Sequence, residues 1–484
     1  MYLGLDLGTT NVKALIVDTE GRVCAEGSAP VDRLCTPDGG VEQDLDTIWQ
    51  SACVAIRQAA SGIQPGKVRA LGISSQGAAM QLLDAEARPL GRVVSWLDGR
   101  GRPFDQQLTD ELGEEFFVHH LGRSPCTMTP GQILRLRSDR PELMARMAAI
   151  GWVGDLIVGR LCGRRAHDAT SLSIAMLYNP SLNRADPMVL ARIGLREDQL
   201  PELLPPTTPA GYLTPSAAAQ TGLPSGIPVS AAIHDQYAGT LGAGSVQEGD
   251  VCLGTGTAWV VLANTARLAP PVARGTFVCR HPVEGLFGQM LSMVNGGSAL
   301  DWVLSVIGQS GAGRHEVDEA LGEVRPGSDG LRFWPLLTAG AEATQSQFNG
   351  GRIAGITLAH TARHLIRAVV EGLACELMRH LRLLTDAALP IRRLILCGAA
   401  AASCATPQII ADLSGRPVAC VTEPAVSALG AAVVARSLVE PHEALAALAA
   451  RLAPQCRIVE PGAHAPLYQR LLEEYLEAFN AGGG

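Results

Sequence analysis

Asp6 stands at the end of a β-rich run, and the turn Gly8, Thr9, Thr10 follows it directly, with Lys13 just beyond on a second apolar run. About half a chain later Leu253, Gly254 and Thr255 repeat the triplet Leu7, Gly8, Thr9, again between two β-rich runs. A tight Gly-Thr turn aims backbone N–H groups and hydroxyls outward, so it can cradle phosphate with no bulky side chain in the way. Two such turns on opposed halves would grip the inner and terminal phosphates of one nucleotide. Either hairpin alone would be unremarkable as sequence; the acid in front of the first is what favours phosphate chemistry. Asp6 is expected to hold Mg2+ through water, because magnesium dehydrates reluctantly. Lys13 is expected to meet a phosphate as a point charge. A third stretch, Gly398 to Ser403, is a strand-to-loop run of small residues that includes Ala399. Such a loop lets a flat ligand approach the backbone and suits an adenosine.

The elements that must position these residues follow from apolar patterning. "YLGLDLG", "VKALIVD" and "GRVCAEGSAPV" read as three strands, with turns between them. "LDTIWQSACVAIRQAA" reads as a helix, with Ile48, Ala52, Val54 and Ile56 among its apolar positions. "VRALGISSQG" is a buried strand entering a loop. This β-β-β-α-β order is not the alternation of a dinucleotide fold. Residues 100–225 look mostly helical, with Pro-rich connections, as an insertion or lid would. The strand, Gly-Thr turn, strand pattern then restarts near residue 245. Later a long helix carries Leu365, Val369, Leu373, Leu377 and Leu381 on one stripe. The expected organisation is α/β, with domains 1–244 and 245–484 facing each other across a cleft.

Bulk properties narrow the function. The 484 residues are 47% hydrophobic and 18% charged, which fits a globular protein rather than a disordered one. A net charge of −8 argues against a nucleic-acid surface. The 12 cysteines are scattered, without Cys-x-x-Cys or zinc spacing, and suit reduced core thiols in a cytoplasmic protein. Neither a secretory leader pattern nor an apolar run near the ~18 residues of a membrane span is visible, so no membrane partner is expected. His360 and His364 are one helical turn apart but have no third ligand.

"LDLGTTNVKALIVD", "LGTGTAWVV" and "CGAAAAS" resemble the phosphate and adenosine motifs of the actin, hexokinase and heat-shock ATPase superfamily. Within it, residues 351–372 resemble the signature of the FGGY carbohydrate kinases, and "SWLDGR", "SALDWV" and "SALGAAVVA" are similar to other stations of that family in the same order. The general likeness is to the xylulokinase branch. The resemblance implies two ribonuclease-H-like domains with an ATP and sugar cleft between them, and a homodimer at the level of the family. It implies ATP at Gly8, Thr9, Thr10, Lys13, Gly254, Thr255, Gly398, Ala399 and Ser403, and Mg2+ at Asp6. It places the catalytic base at Asp235, although His234 beside it is a rival by chemistry alone. It places the sugar at Gln76, Gly77, Ala78, Trp96, Asp98 and Asp235. The implied reaction is transfer of the γ-phosphoryl of ATP to a small ketose, first D-xylulose, with L-xylulose, ribulose, a tetritol or glycerol as alternatives and a sugar-sensing pseudokinase as the rival of another class.

Three segments depart from the family pattern. Gln76-Gly77-Ala78-Ala79 stands where xylulokinases read Gln-Met-His-Gly, so a histidine that would bond the sugar is missing. Residues 338–348 replace a Gly-Glu-Arg-Thr-Pro segment, and Gln132 and Arg135 stand where the signature wants Lys and Trp. The expected consequence is extra volume beside Gly77 and Ala78 and a changed sugar preference.

Overall fold

The first apolar runs form a sheet buried on both faces. The computed structural model describes residues 1–64, 66–293, 295–337 and 350–481. β1 (Tyr2–Leu7) and β2 (Asn11–Val17) bury almost every side chain and pair antiparallel, with Asp6 opposite Lys13. β3 (Val23–Pro30) extends the sheet antiparallel to β2. α1 (Leu45–Ala60) begins where Asp44 accepts a hydrogen bond from the Thr47 N–H, a side-chain N-cap. Ile48, Ala52 and Ile56 are buried on it, but Val54 is exposed. At 100° per residue, position 54 falls well away from the stripe through 48, 52 and 56.

β4 (Leu71–Ser75) runs parallel to β1, and β5 (Pro228–His234) runs parallel to β4. The sheet path is therefore β5-β4-β1-β2-β3, with short strands beyond β5. Between β4 and β5 the chain builds eight α-helices and three strands, Met80–Leu83, Pro89–Val94 and Ala149–Trp152, which join Leu34–Cys35 and Val41–Gln43 in a further five-stranded sheet. α2 (Asp235–Gly242) starts directly after β5.

The second half repeats the plan. β6 (Asp250–Thr255) pairs antiparallel with β7 (Trp259–Thr265). β8 (Phe277–Arg280) and β9 (Phe287–Met293) continue that side of the sheet. α3 (Ala362–Asp386) buries Val369, Leu373, Leu377 and Leu381, the stripe expected from its sequence. β10 (Arg393–Gly398) is parallel to β6, and β11 (Val418–Val421) is parallel to β10. The core path β9-β7-β6-β10-β11 is the same as β3-β2-β1-β4-β5 of the first sheet.

α4 (Val426–Ser437) joins the halves. It follows β11 but packs on β1 and β4 of the first sheet and on α2. Small residues permit this approach. A Cβ on Gly4 would lie 1.8 Å from Ala428 O, on Gly72 1.9 Å from Ala431 O, and on Gly430 1.8 Å from Ala238 O. The last helix, α5 (Ala465–Ala481), is fixed to α3 by Tyr468, whose hydroxyl donates to Glu371, and by Tyr475, whose hydroxyl donates to Glu376. No helix among the described residues is long and apolar enough to cross a membrane.

Candidate active site

The carboxyl ends of three adjacent parallel strands bring the acids together. Asp6 is in register with Ser74, and Ser75 is in register with His234. Neighbouring strands lie about 4.8 Å apart, so Asp6 on β1 and Asp235 just past β5 face the same edge two strands apart. Ser74 Oγ donates to Asp6 Oδ1 at 2.7 Å. Burial pushes the Asp6 carboxyl up to about 6, the negative charge of Asp235 adds to that, and Ser74 and Lys13 oppose it. Burial likewise pushes Asp235 up to about 6, against hydrogen bonds from Gln236. Two carboxyls that resist ionisation at one strand edge suit a site completed by a cation. Among the described residues no cluster of three or more His, Cys, Asp or Glu side chains could hold a metal. An isolated carboxylate such as Asp6 is the kind of donor that would hold a magnesium ion through water.

The second half reaches this edge at three places. Lys13 Nζ donates to Pro424 O at 3.2 Å, and Ser427 Oγ donates to Asp235 O at 3.0 Å. A Cβ on Gly254 would lie 3.3 Å from Gln236 Oε1, so the second Gly-Thr turn abuts the start of α2.

Both turns are built tightly. Gly8 N–H donates to Asn11 O at 3.1 Å, and a Cβ on Gly8 would lie 2.6 Å from that oxygen. The Thr9 hydroxyl donates to Gln76 Oε1 at 3.0 Å and accepts from Trp96 Nε1 at 2.9 Å. Gln76 Nε2 donates to Gln43 Oε1 at 3.1 Å, and Gln43 Nε2 returns to Thr9 O at 3.0 Å. This closed ring ties the first Gly-Thr turn to the loop of Gln76 and leaves Trp96 41% exposed. Thr10 is exposed at the tip. In the second half Thr255 Oγ1 donates to Cys397 O at 2.5 Å and accepts from Ala400 N–H at 3.1 Å. Gly398 has φ +86°, and a Cβ there would lie 2.6 Å from Thr255 O. Ser403 Oγ is buried, donates to Asp318 Oδ1 at 2.5 Å and accepts from Thr406 N–H at 3.0 Å. Ala399 is exposed. The hydroxyls of Thr9, Thr255 and Ser403 thus hold the turns in shape, whereas the Thr10 hydroxyl at the tip is exposed and accepts from Asn11 Nδ2 at 3.3 Å.

Two expectations about the sugar side need correction. The Asp98 carboxylate is fully buried; it accepts from Val41 N–H at 3.0 Å, from Arg100 Nη2 at 2.6 Å and from Gln132 Nε2 at 3.2 Å. Arg100 also pairs with Asp38 and Glu42, and Arg135 Nε donates to Gln132 Oε1 at 2.8 Å. Asp98 with Gln132 and Arg135 therefore braces the loop that carries Trp96, and its oxygens face protein donors rather than a ligand. Nor is there free volume beside Gly77. A Cβ there would lie 2.6 Å from Ile174 Cγ2 and 2.8 Å from His234 Nε2. Ala78 is 6% exposed and has φ +56°, in the left-handed region that disfavours any side chain. The segment 338–348 lies outside the described residues.

His234 and Asp235 are distinguished by their surroundings. Burial drives the His234 imidazole down to about 3, so the ring is neutral and less basic than the Asp235 carboxylate beside it. Sequence reasoning missed what holds this pair. The Thr170 hydroxyl donates to Asp168 Oδ1 at 2.6 Å and accepts from the His234 N–H at 3.0 Å. Asp168 also caps the helix Ala169–Ile174. No motif marks Asp168, Thr170 or Gln43, because each acts only through contacts made by the fold.

Comparison with known proteins gives a consistent frame. Residues 1–242 match the N-terminal domain of the FGGY family of carbohydrate kinases, and residues 249–437 match its C-terminal domain. A protein of Escherichia coli (strain K12) named L-xylulose/3-keto-L-gulonate kinase is 28% identical over 445 residues, 90% of this chain and 87% of its own. A second from the same strain, named xylulose kinase, is 26% identical over 459 residues, 93% of each chain. The crystal structure of xylulose kinase from Rhodospirillum rubrum superposes with a TM-score of 0.89 at 25% identity, over 99% of this chain and 98% of that one.

Proposed function

The chain belongs to the FGGY family of carbohydrate kinases, with that family's two-domain actin- and hexokinase-like fold, and from that premise we propose that it transfers the γ-phosphoryl of ATP to a hydroxyl of a small ketose, first D-xylulose, giving D-xylulose 5-phosphate. The observation that carries this reading is Asp235 at the strand edge opposite Asp6, with a Gly-Thr turn from each half beside them. Asp235 takes the proton of the attacking hydroxyl; it is the more basic of the two groups at its position. Asp6 would hold Mg2+ through water, and that ion supplies charge neutralisation on the phosphates. Gly8 to Thr10, Lys13, Gly254 and Thr255 flank the phosphates, and Gly398 and Ala399 flank the adenosine. Gln76 and Trp96 face the acceptor.

L-Xylulose is the second reading, favoured by the relative named L-xylulose/3-keto-L-gulonate kinase, which matches at 28% identity against 26% for the one named xylulose kinase. Retention of both Asp6 and Asp235 favours a working enzyme over a sugar sensor. ADP release coupled to a panel of ketoses and polyols tests the proposal. Turnover with D-xylulose above all others supports the first reading, and preference for L-xylulose supports the second. Absence of transfer to any sugar or polyol overturns both.

A further inference from the structure

The hydrogen-bond ring at the first Gly-Thr turn has a fixed direction. It is fed by the Trp96 indole, which can only donate, and it ends on the Thr9 carbonyl, which can only accept. Trp96 Nε1–H donates to the Thr9 hydroxyl at 2.9 Å, so the Thr9 proton goes on to Gln76 Oε1 at 3.0 Å. Gln76 must then turn its Nε2 to Gln43 Oε1, and Gln43 its Nε2 to Thr9 O. Reversing both amides would set Gln43 Oε1 against the Thr9 carbonyl, oxygen to oxygen. Gln43 is held where it can enforce this order. It is 1% exposed, ends the strand Val41–Gln43, and is followed at once by Asp44, the N-cap of α1. Each amide keeps one N–H that no described residue accepts, and Gln76 is 3% exposed. A buried N–H without an acceptor costs stability until something meets it.

We propose that Gln43 is a positioning residue that sets the polarity of the acceptor site: it holds the Gln76 amide so that Gln76 presents N–H rather than C=O, and that N–H reads the carbonyl oxygen of a ketose. The inference rests on the reading that the acceptor sits at Gln76 and Trp96. A ketone oxygen only accepts, so it meets a donor with no proton left over. The alditol made by reducing that ketone puts a hydroxyl there, and the hydroxyl's own proton then needs a second partner. A site built to read one polar group rejects an analogue that mismatches it. Gln43 touches neither ligand in this arrangement and acts through Gln76 alone.

Two measurements test the proposal. Neutron diffraction from a ligand-free crystal of the deuterated wild-type chain should show deuterium on the Gln76 nitrogen facing Gln43 and on the Gln43 nitrogen facing Thr9 O. The second is turnover with the best ketose acceptor and with its alditol (xylitol for either xylulose), for wild type, Gln43→Met and Gln43→Glu. Wild type should favour the ketose about tenfold or more in kcat/KM. Gln43→Met offers Gln76 no oxygen and should lose most of that ratio. Gln43→Glu still sets an oxygen against Gln76 Nε2 and should keep most of it. A ring that only braces the loop would lower turnover with ketose and alditol alike and leave the ratio standing. The opposite amide order in the neutron map overturns the proposal whether or not the variants fold. So does a wild-type ratio near one, a ratio unchanged in Gln43→Met, or a ratio lost equally in Gln43→Glu. Transfer to polyols alone overturns it too, with the kinase reading intact. Transfer to no sugar or polyol overturns the kinase reading instead, and the neutron map still decides the order of the amides.

Discussion

At the residue scale, Asp6 and Asp235 must carry charge in a place that resists it. Burial holds both near 6, above the ordinary 3.8 of an aspartate. Because the folded values lie above the unfolded ones, ionisation costs the folded state. Below about pH 4 both states are protonated and the cost is absent; it grows as pH rises and is complete above about pH 6. Asp235→Asn should therefore raise the unfolding free energy at pH 8 by an amount on the order of 1–3 kcal/mol given the partial exposure of the group, seen as a higher Tm, and leave the Tm unchanged at pH 4. Equal Tm changes at both pH values would show that charge is not the cause. The same variant should lose kcat by about 10²–10⁴-fold with ATP affinity intact in calorimetry, because the base acts on the sugar hydroxyl and not on the nucleotide. In wild type, kcat/KM should fall at least about tenfold per unit below pH 6, as Asp235 and with it Asp6 become protonated. The proposed role of Asp235 comes from family resemblance alone, because its local pattern does not distinguish a base from a helix cap. Asp98 was misjudged for a physical reason: an acid two residues after a tryptophan gives no sign that Arg100 will fold back onto it.

At the scale of elements, the fit of α4 into the rest of the fold decides whether the two halves can meet. Gly430 faces Ala238 O and Gly242 faces Val426 O, each with a would-be Cβ within 2.0 Å of backbone oxygen. Backbone cannot step aside as a side chain can, so Gly430→Ala must separate α2 from α4. The expected cost is about 2–4 kcal/mol, read as a large drop in Tm. Gly62→Ala is the control, since a Cβ there meets nothing within 4 Å. A Gly430→Ala protein as stable as the control would show that the helices repack at no cost. The repeated hairpin was readable because Leu-Gly-Thr between apolar runs constrains local geometry. The destination of "SALGAAVVA" was not, because small residues permit a close approach without naming the partner. Val54 shows the same gap within one helix: an apolar residue at the wrong angle is exposed whatever its type.

At the scale of the molecule, the halves touch beside the proposed catalytic edge. α4 lies across the first sheet, Ser427 reaches the backbone of Asp235, and Lys13 reaches Pro424. These contacts hold the two halves together at the edge that carries Asp235. At that edge water would reach the γ-phosphate and hydrolysis would compete with transfer, unless the halves close once the acceptor is in place. In the proposed arrangement Trp96, 41% exposed and bonded to Thr9 of the first Gly-Thr turn, would couple the acceptor side to the nucleotide side within the first half. Binding of both ligands should therefore do more than binding of either. The expected outcome in small-angle scattering is little change in the radius of gyration with a non-hydrolysable ATP analogue alone, and compaction when the best ketose acceptor is added. Trp96→Ala should weaken that response, because it removes the indole that ties the exposed acceptor face to Thr9. A radius of gyration that stays constant with both ligands at saturation would mean that the cleft is already closed, and water must then be excluded by the turns alone.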